Sequence, residues 1–166
     1  MIEIRPEQPG DVDAIRVVNQ RAFGQDQEAN IVDALRASGA AMLSLVAVVD
    51  SQIVGHIMYS PIQVGRVAGA ALAPMAVLPE HQRAGIGGRL VADGTARLAR
   101  LGVPLIIVLG HAAFYPRFGF RLASAYGISC EWTVPDEAFM VIVLDTLQMQ
   151  TVKGMARYRQ EFSTVA

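Results

Sequence analysis

Residues 75–90 constrain this chain more than any other stretch. An apolar run ends at Val77, Leu78 and Pro79; Gln82-Arg83-Ala84-Gly85-Ile86-Gly87-Gly88-Arg89 follows, and then the apolar periodicity of a helix. A strand that turns through glycines directly into a helix leaves the first helical N–H groups without a carbonyl one turn back. Those donors and the positive end of the helix dipole form an anion site. Gly85, Gly87 and Gly88 lack a Cβ, so the backbone there is free to take φ > 0 and to approach a ligand closely. Spacing sorts the possibilities. A dinucleotide fingerprint would require glycines at 85, 87 and 90, but position 90 is Leu90, and the Gly-Lys-Ser/Thr ending of a triphosphate loop is absent. The stretch reads as built to hold a pyrophosphate, mainly through backbone N–H groups, and neither of those motifs describes it.

The flanking pattern is that of an α/β chain. Residues 2–5 read as a first strand, after which Pro9, Gly10 and Asp11 break the chain, and Asp11 is placed to cap a helix over 12–23 whose Val12, Ile15 and Val18 share a face. A second helix over 28–38 ends at Gly39. Residues 43–49 and 53–63 form an antiparallel pair joined at Asp50, Ser51 and Gln52, apolar enough for burial on both faces. After a turn over 65–69, a strand over 70–77 delivers the glycine loop. The helix beyond it buries Ile86, Leu90, Val91, Gly94, Leu98 and Leu101 and stops at Gly102. The strand 104–110 runs parallel to 70–77, because a helix makes the crossover. A short helix near 113–118, stopped by Gly119, and a late strand over 139–144 complete the pattern. One layered domain spans 1–166, with about 146–166 an extension docked through Tyr158 and Phe162.

Gln82, Gly85 and Gly87 at this spacing resemble the Gln/Arg-x-x-Gly-x-Gly/Ala acetyl-CoA loop of the GCN5-related N-acetyltransferase (GNAT) superfamily. Downstream, Phe114-Tyr115-Pro116-Arg117-Phe118-Gly119-Phe120 is similar to the Tyr-x-x-x-Gly-Phe segment that follows that superfamily's fifth strand. Two matches in the right order, with a helix and a strand between them, are more specific than either alone. Residues 134–141 look like a bacterial branch of small, single-domain members. The resemblance implies an α+β fold with a central mixed, mostly antiparallel sheet, helices on both faces, and parallel fourth and fifth strands that splay apart to admit the cofactor. It also implies acetyl-CoA as acyl donor and an amine as acceptor. Where the strands part, the backbone of Met75, Ala76 and Val77 would bond the pantetheine arm and the thioester oxygen. The loop of Gln82, Arg83, Ala84, Gly85, Ile86, Gly87, Gly88 and Arg89 would take the pyrophosphate. Phe114 and Arg117 would lie beside the cofactor, Tyr115 near its sulfur, and Phe23 and Glu28 around the acceptor.

Acyl transfer from a thioester to an amine asks a protein to orient the reactants, polarise the carbonyl and handle two protons. Tyr115, a phenol of ordinary pKa about 10, can protonate the departing thiolate; the alternative is a packing tyrosine beside Phe114, Phe118 and Phe120, with water as the donor. His111, at the end of the strand through Leu109, suits a base near neutrality, and it can equally cap the next helix or line the cleft. Glu28, Glu80, Glu131 and a water relay are further routes for that proton. His56, inside an apolar strand, reads as a satisfied core histidine, and His81 as facing solvent. The same loop would also serve a noncatalytic acyl-CoA-binding sensor. No paired Cys/His spacing and no His-Glu-x-x-His sequence calls for a metal, and Cys130 has no neighbouring histidine to activate it.

Composition narrows the partners. A chain of 166 residues, 52% apolar and 17% charged, is long enough for one well-buried core. A formal charge of -1 and a pI of about 6.3 argue against nucleic acid or an anionic membrane as partner, since either favours a basic surface. The apolar runs 43–49 and 105–109 are strand-sized, too short to cross a bilayer. The lone Cys130 and an N-terminus without the basic-then-apolar order of a leader suggest a cytoplasmic protein, and strands at the C-terminal end that could pair between copies leave both a monomer and a homodimer open.

Overall fold

The apolar strands pair largely in the order in which the chain makes them. The computed structural model describes residues 1–150 and 152–164. The first half contains β1 (Ile2–Pro6), α1 (Val12–Phe23), α2 (Gln27–Ala37), β2 (Leu43–Val49), β3 (Gln52–Val64), β4 (Val67–Val77) and α3 (Ile86–Arg100). After β5 (Leu105–Leu109) come β6 (Arg121–Leu122), β7 (Ile128–Cys130), β8 (Phe139–Val143), α4 (Thr146–Met149), β9 (Gly154–Arg157) and α5 (Glu161–Thr164). Two compact units result. Of the described residues, one holds 1–60, 73–94 and 160–164, the other 61–72, 95–150 and 152–159, so β3, β4 and α3 each run from one into the other.

In the first unit β1, β2 and β3 form an antiparallel meander, Ile2 opposite Val49 and Leu43 opposite Tyr59. Asp50 (φ 49°) and Ser51 (φ 64°) supply the two left-handed residues that a tight hairpin of the right twist requires. Consecutive residues of β3 then point to opposite faces. A Cβ at Gly55 would stand 3.1 Å from Ile86 and 3.2 Å from Leu90, so α3 lies on that face. His56 points the other way, to Asn19 of α1. Burial of Ile86, Leu90 and Val91 stabilises the α3 contact by about 1.5–3 kcal/mol per side chain.

His56 is fully buried, and its neighbours decide its tautomer. Ser44 donates its hydroxyl proton to Glu7 at 2.7 Å, so His56 Nε2–H donates to Ser44 Oγ at 2.9 Å, while Nδ1 accepts from Asn19 Nδ2 at 3.2 Å. Burial, far outweighing the attraction of Glu7, pushes the His56 pKa down to about 3 and keeps the ring neutral. The satisfied core histidine read from the sequence is what the fold contains.

In the second unit the start of β4 pairs in parallel with β5, Ala70 opposite Ile106 through Leu72 opposite Val108. The strand β5 pairs antiparallel with β8, and β8 with β6. The end of β3 takes β9, which carries β7 in parallel. Ile62, Val64, Ala71, Leu105, Ile107, Ile128, Phe139 and Val141 are buried together beneath these strands. Sheet, parallel pair and helices agree with the α+β expectation.

Several local expectations are corrected. Asp11 precedes α1 but makes no side-chain cap there. Its carboxylate takes Arg5 at 2.7 Å and the Gln8 N–H at 2.7 Å, and the Arg5 hydrogen bond, against the cost of burial, holds its pKa low. Leu101 is 71% exposed, because α3 ends at Arg100 and the helical period no longer orients the next residue. The segment near 113–118 is a 3-10 turn over Tyr115–Phe118. Strands β6, β7 and β9, two to four residues each, are too short to leave an alternation in sequence.

Candidate active site

The parallel ladder stops at Leu72, yet β4 continues to Val77 with Met75 half-buried and Ala76 and Val77 buried. The Leu78 N–H closes onto Val54 O at 2.8 Å, and a 3-10 turn over Pro79–His81 redirects the chain. Gln82 reaches back to give its Nε2–H to Val77 O at 3.0 Å, so its side chain shapes the turn. Arg83 (φ 64°) and Gly85 (φ 82°) are both left-handed, with Ala84 between them at negative φ. Alternation in the sign of φ is the backbone pattern from which anion nests are built. Arg89 N–H donates to Gly85 O at 3.1 Å as the first helical bond of α3, so the N–H groups of Ile86, Gly87 and Gly88 precede the helical ladder.

Of the three glycines credited with φ > 0, only Gly85 uses it. No atom lies within 4 Å of a Cβ built there, so conformation, and not crowding, demands glycine. Gly87 and Gly88 are ordinary helical residues whose missing side chains leave the first turn bare. Ile86 is buried and anchors the helix start. The exposed Arg83 finds no partner among the described residues, whereas Arg89 Nη1 donates to Ile2 O of β1 at 2.9 Å. His81, in the entry to the loop, is half-buried. Elsewhere in this unit Phe23, 40% exposed, ends α1, and Glu28 in the first turn of α2 accepts the Gln25 amide at 3.1 Å.

The second unit carries the tyrosine segment. At the end of β5, Gly110 N–H donates to Ala138 O at 2.9 Å, and the carbonyl of the exposed His111 accepts from Phe114 N–H at 3.1 Å and Tyr115 N–H at 3.4 Å. Backbone bonds thus use His111 to start the turn and leave its imidazole exposed. Tyr115 is 6% exposed and meets Phe114 edge-on at 5.0 Å and Phe120 at 5.6 Å. Burial pushes its phenol up to about 12, so it holds its proton throughout the neutral range. A Cβ at Gly110 would come within 2.5 Å of its ring, a close approach that only glycine permits. Arg117 lies over Phe114 at 4.8 Å and gives its Nε–H to Phe114 O at 3.3 Å.

The alternative carboxylates are engaged. Both Glu80 oxygens meet Arg21, at 2.8 and 2.6 Å, and Glu131 accepts the Tyr158 N–H at 2.9 Å. Sequence reasoning missed Arg21 and Gly110. The first lies 59 positions from its partner, with no motif to connect them. The second is a glycine directly after a buried strand, a signal of close approach.

An acetyltransferase (GNAT) domain model matches residues 41–122. The chain is 34% identical to the uncharacterized N-acetyltransferase YhbS of Escherichia coli over 96% of its own length and 98% of that protein's. It is 36% identical to the uncharacterized N-acetyltransferase YjhQ of Escherichia coli over 89% and 86%. The crystal structure of Escherichia coli YhbS in complex with CoA superimposes with a TM-score of 0.94 over 99% of this chain and 93% of that one, at 33% identity. A Brucella melitensis GNAT-family acetyltransferase in complex with acetyl-CoA follows at 0.81, covering 98% of each chain at 35% identity. Likeness that runs the length of both chains, and not over the phosphate loop alone, makes this chain a member of the GCN5-related N-acetyltransferase family.

Proposed function

We propose that the protein transfers an acetyl group from acetyl-CoA to an amine by direct attack within a ternary complex. The observation that carries this reading is the nest at Arg83 and Gly85, which opens onto the bare first turn of a 15-residue helix and suits a pyrophosphate. The thioester of the bound cosubstrate supplies an activated carbonyl and a sulfur leaving group. The backbone of Met75, Ala76 and Val77, beyond the part of β4 that pairs with β5, aligns the pantetheine arm and donates to the developing oxyanion. The loop from Gln82 to Arg89 holds the phosphates through backbone N–H groups, with Arg83 as an added charge. Phe114 and Arg117 flank the cofactor.

As the amine nitrogen bonds to the acyl carbon and the C–S bond breaks, His111 accepts the proton the nitrogen sheds. Tyr115 delivers one to sulfur. Burial keeps that phenol protonated in the neutral range, which excludes a phenolate nucleophile. Phe23 and Glu28 border the acceptor. The half-buried lone Cys130 suits a reducing compartment, and the proposal includes a cytoplasmic monomer or homodimer with no nucleic-acid partner. No helix among the described residues is long and apolar enough to cross a membrane.

The test offers purified protein acetyl-CoA with a panel of amines, reading free thiol and the mass of acetylated products. Thiol release that depends on an amine supports the transferase. CoA binding without amine-dependent release by any amine would make the protein an acyl-CoA-binding sensor.

A further inference from the structure

Glu80 is the only acidic residue between Val77 and Asp93, and it stands in the turn that leads into the phosphate loop. We infer that Arg21 sets the affinity of that loop for CoA by cancelling the charge of Glu80. Arg21 is therefore a positioning residue of the cofactor site, supplied by the last turn of α1. The inference rests on the CoA-binding function proposed above.

The pair is a full fork, Nη1 to Oε1 at 2.8 Å and Nη2 to Oε2 at 2.6 Å, with both side chains 48% exposed. Hydrogen bonding from Arg21 lowers the Glu80 pKa further below the neutral range, so the pair is one of two full charges. Exposed pairs contribute little to folding. Nor does the turn need the pair for its shape, because the Leu78 N–H to Val54 O and Gln82 to Val77 O bonds already close it. What the pair alters is the field at the loop. Glu80 lies five residues before Gly85, a stretch that spans at most about 18 Å. At 0.01 M ionic strength the screening length is about 30 Å, so a bare carboxylate at position 80 would repel a polyanion anywhere on the loop. At 0.5 M it falls to about 4 Å and the repulsion vanishes.

CoA is titrated calorimetrically into the wild type, Arg21→Met, Arg21→Lys, Glu80→Gln and the double variant Arg21→Met/Glu80→Gln, at 0.01 M and 0.5 M ionic strength. Arg21→Met keeps the aliphatic stem and should weaken CoA about threefold at low salt and by less than about 1.5-fold at high salt. Arg21→Lys, with its charge kept and its fork lost, should bind like the wild type. Glu80→Gln should bind as tightly as the wild type or tighter, and the double variant should return to within about 1.5-fold of it. A mechanical tie would instead weaken Glu80→Gln and Arg21→Lys as much as Arg21→Met, independently of salt, and that result overturns the inference. Failure of the wild type itself to take up CoA would remove the function proposed above, which separates the two.

Discussion

Replacing Gly110 with alanine asks whether the position of the Tyr115 ring matters to turnover. A Cβ at 110 would lie 2.5 Å from Tyr115 Cε2, 3.2 Å from Cδ2 and 3.4 Å from Cζ. Carbon atoms at rest lie about 3.5–4.0 Å apart, so the ring has to retreat by about 1 Å. Phe114 at 5.0 Å and Phe120 at 5.6 Å hold it from the sides, which makes the retreat a repacking and not a free rotation. Overpacking of this kind costs about 1–3 kcal/mol, small enough for the protein to remain folded. A displacement of about 1 Å in a positioned proton donor lowers kcat by about 10²-fold. The assay is thiol release from acetyl-CoA at saturating amine, with thermal melting alongside to show that the alanine has strained the packing. Tyr115→Phe provides the reference. It keeps the ring and removes a hydroxyl that has no hydrogen-bond partner among the described residues, and it should lower kcat by about 10²-fold or more with acetyl-CoA affinity unchanged. In the combined variant kcat should fall no further than in Tyr115→Phe, because a displaced ring without a proton has nothing more to lose. Full kcat in a destabilised Gly110→Ala protein, or losses that multiply in the combined variant, would refute the acid role and leave Tyr115 as packing.

Gly85→Val places a β-branched residue at φ 82°, which costs at least about 1–2 kcal/mol and shifts the loop, so CoA affinity should fall more than about 10-fold. Unchanged calorimetric affinity in the folded variant would discard the nest as the phosphate site. His111→Ala should alter the acidic limb of the kcat/KM profile if the imidazole accepts the amine proton, and a superimposable profile would return His111 to its backbone role in starting the turn. For His56 the folded pKa, about 3, lies below the ordinary 6.5, so the unfolded chain binds a proton that the folded one refuses. The stability this represents is complete above pH about 6.5 and is lost as pH falls toward 3, a change on the order of 5 kcal/mol over the whole window. Urea unfolding between pH 6.5 and 4.5 should therefore be steeper in pH for the wild type than for His56→Gln, and equal slopes would exclude His56 as the source.

What the sequence determined by itself was local. The apolar runs 43–49 and 105–109, the glycine loop and the aromatic segment after β5 each carry their signal within a dozen residues, where periodicity, φ preference and helix-end chemistry act directly. From these the parallel β4–β5 pair, the start of α3 and the family resemblance were all legible. Tertiary structure decided the rest, because it turned on which distant atoms meet. Asp11 left its helix for Arg5 of the neighbouring strand, where a charge-assisted bond in a half-buried site outweighs a cap. Gln82 became a brace of its own turn, and Glu80 was taken by an arginine 59 positions away. The short strands β6, β7 and β9 exist because finished edges offered them hydrogen bonds, not because two to four residues carry a strand's propensity. Tyr115 could be placed beside phenylalanines from sequence, but its raised pKa and its dependence on Gly110 come from desolvation and close packing, which are properties of the folded interior and of no segment alone.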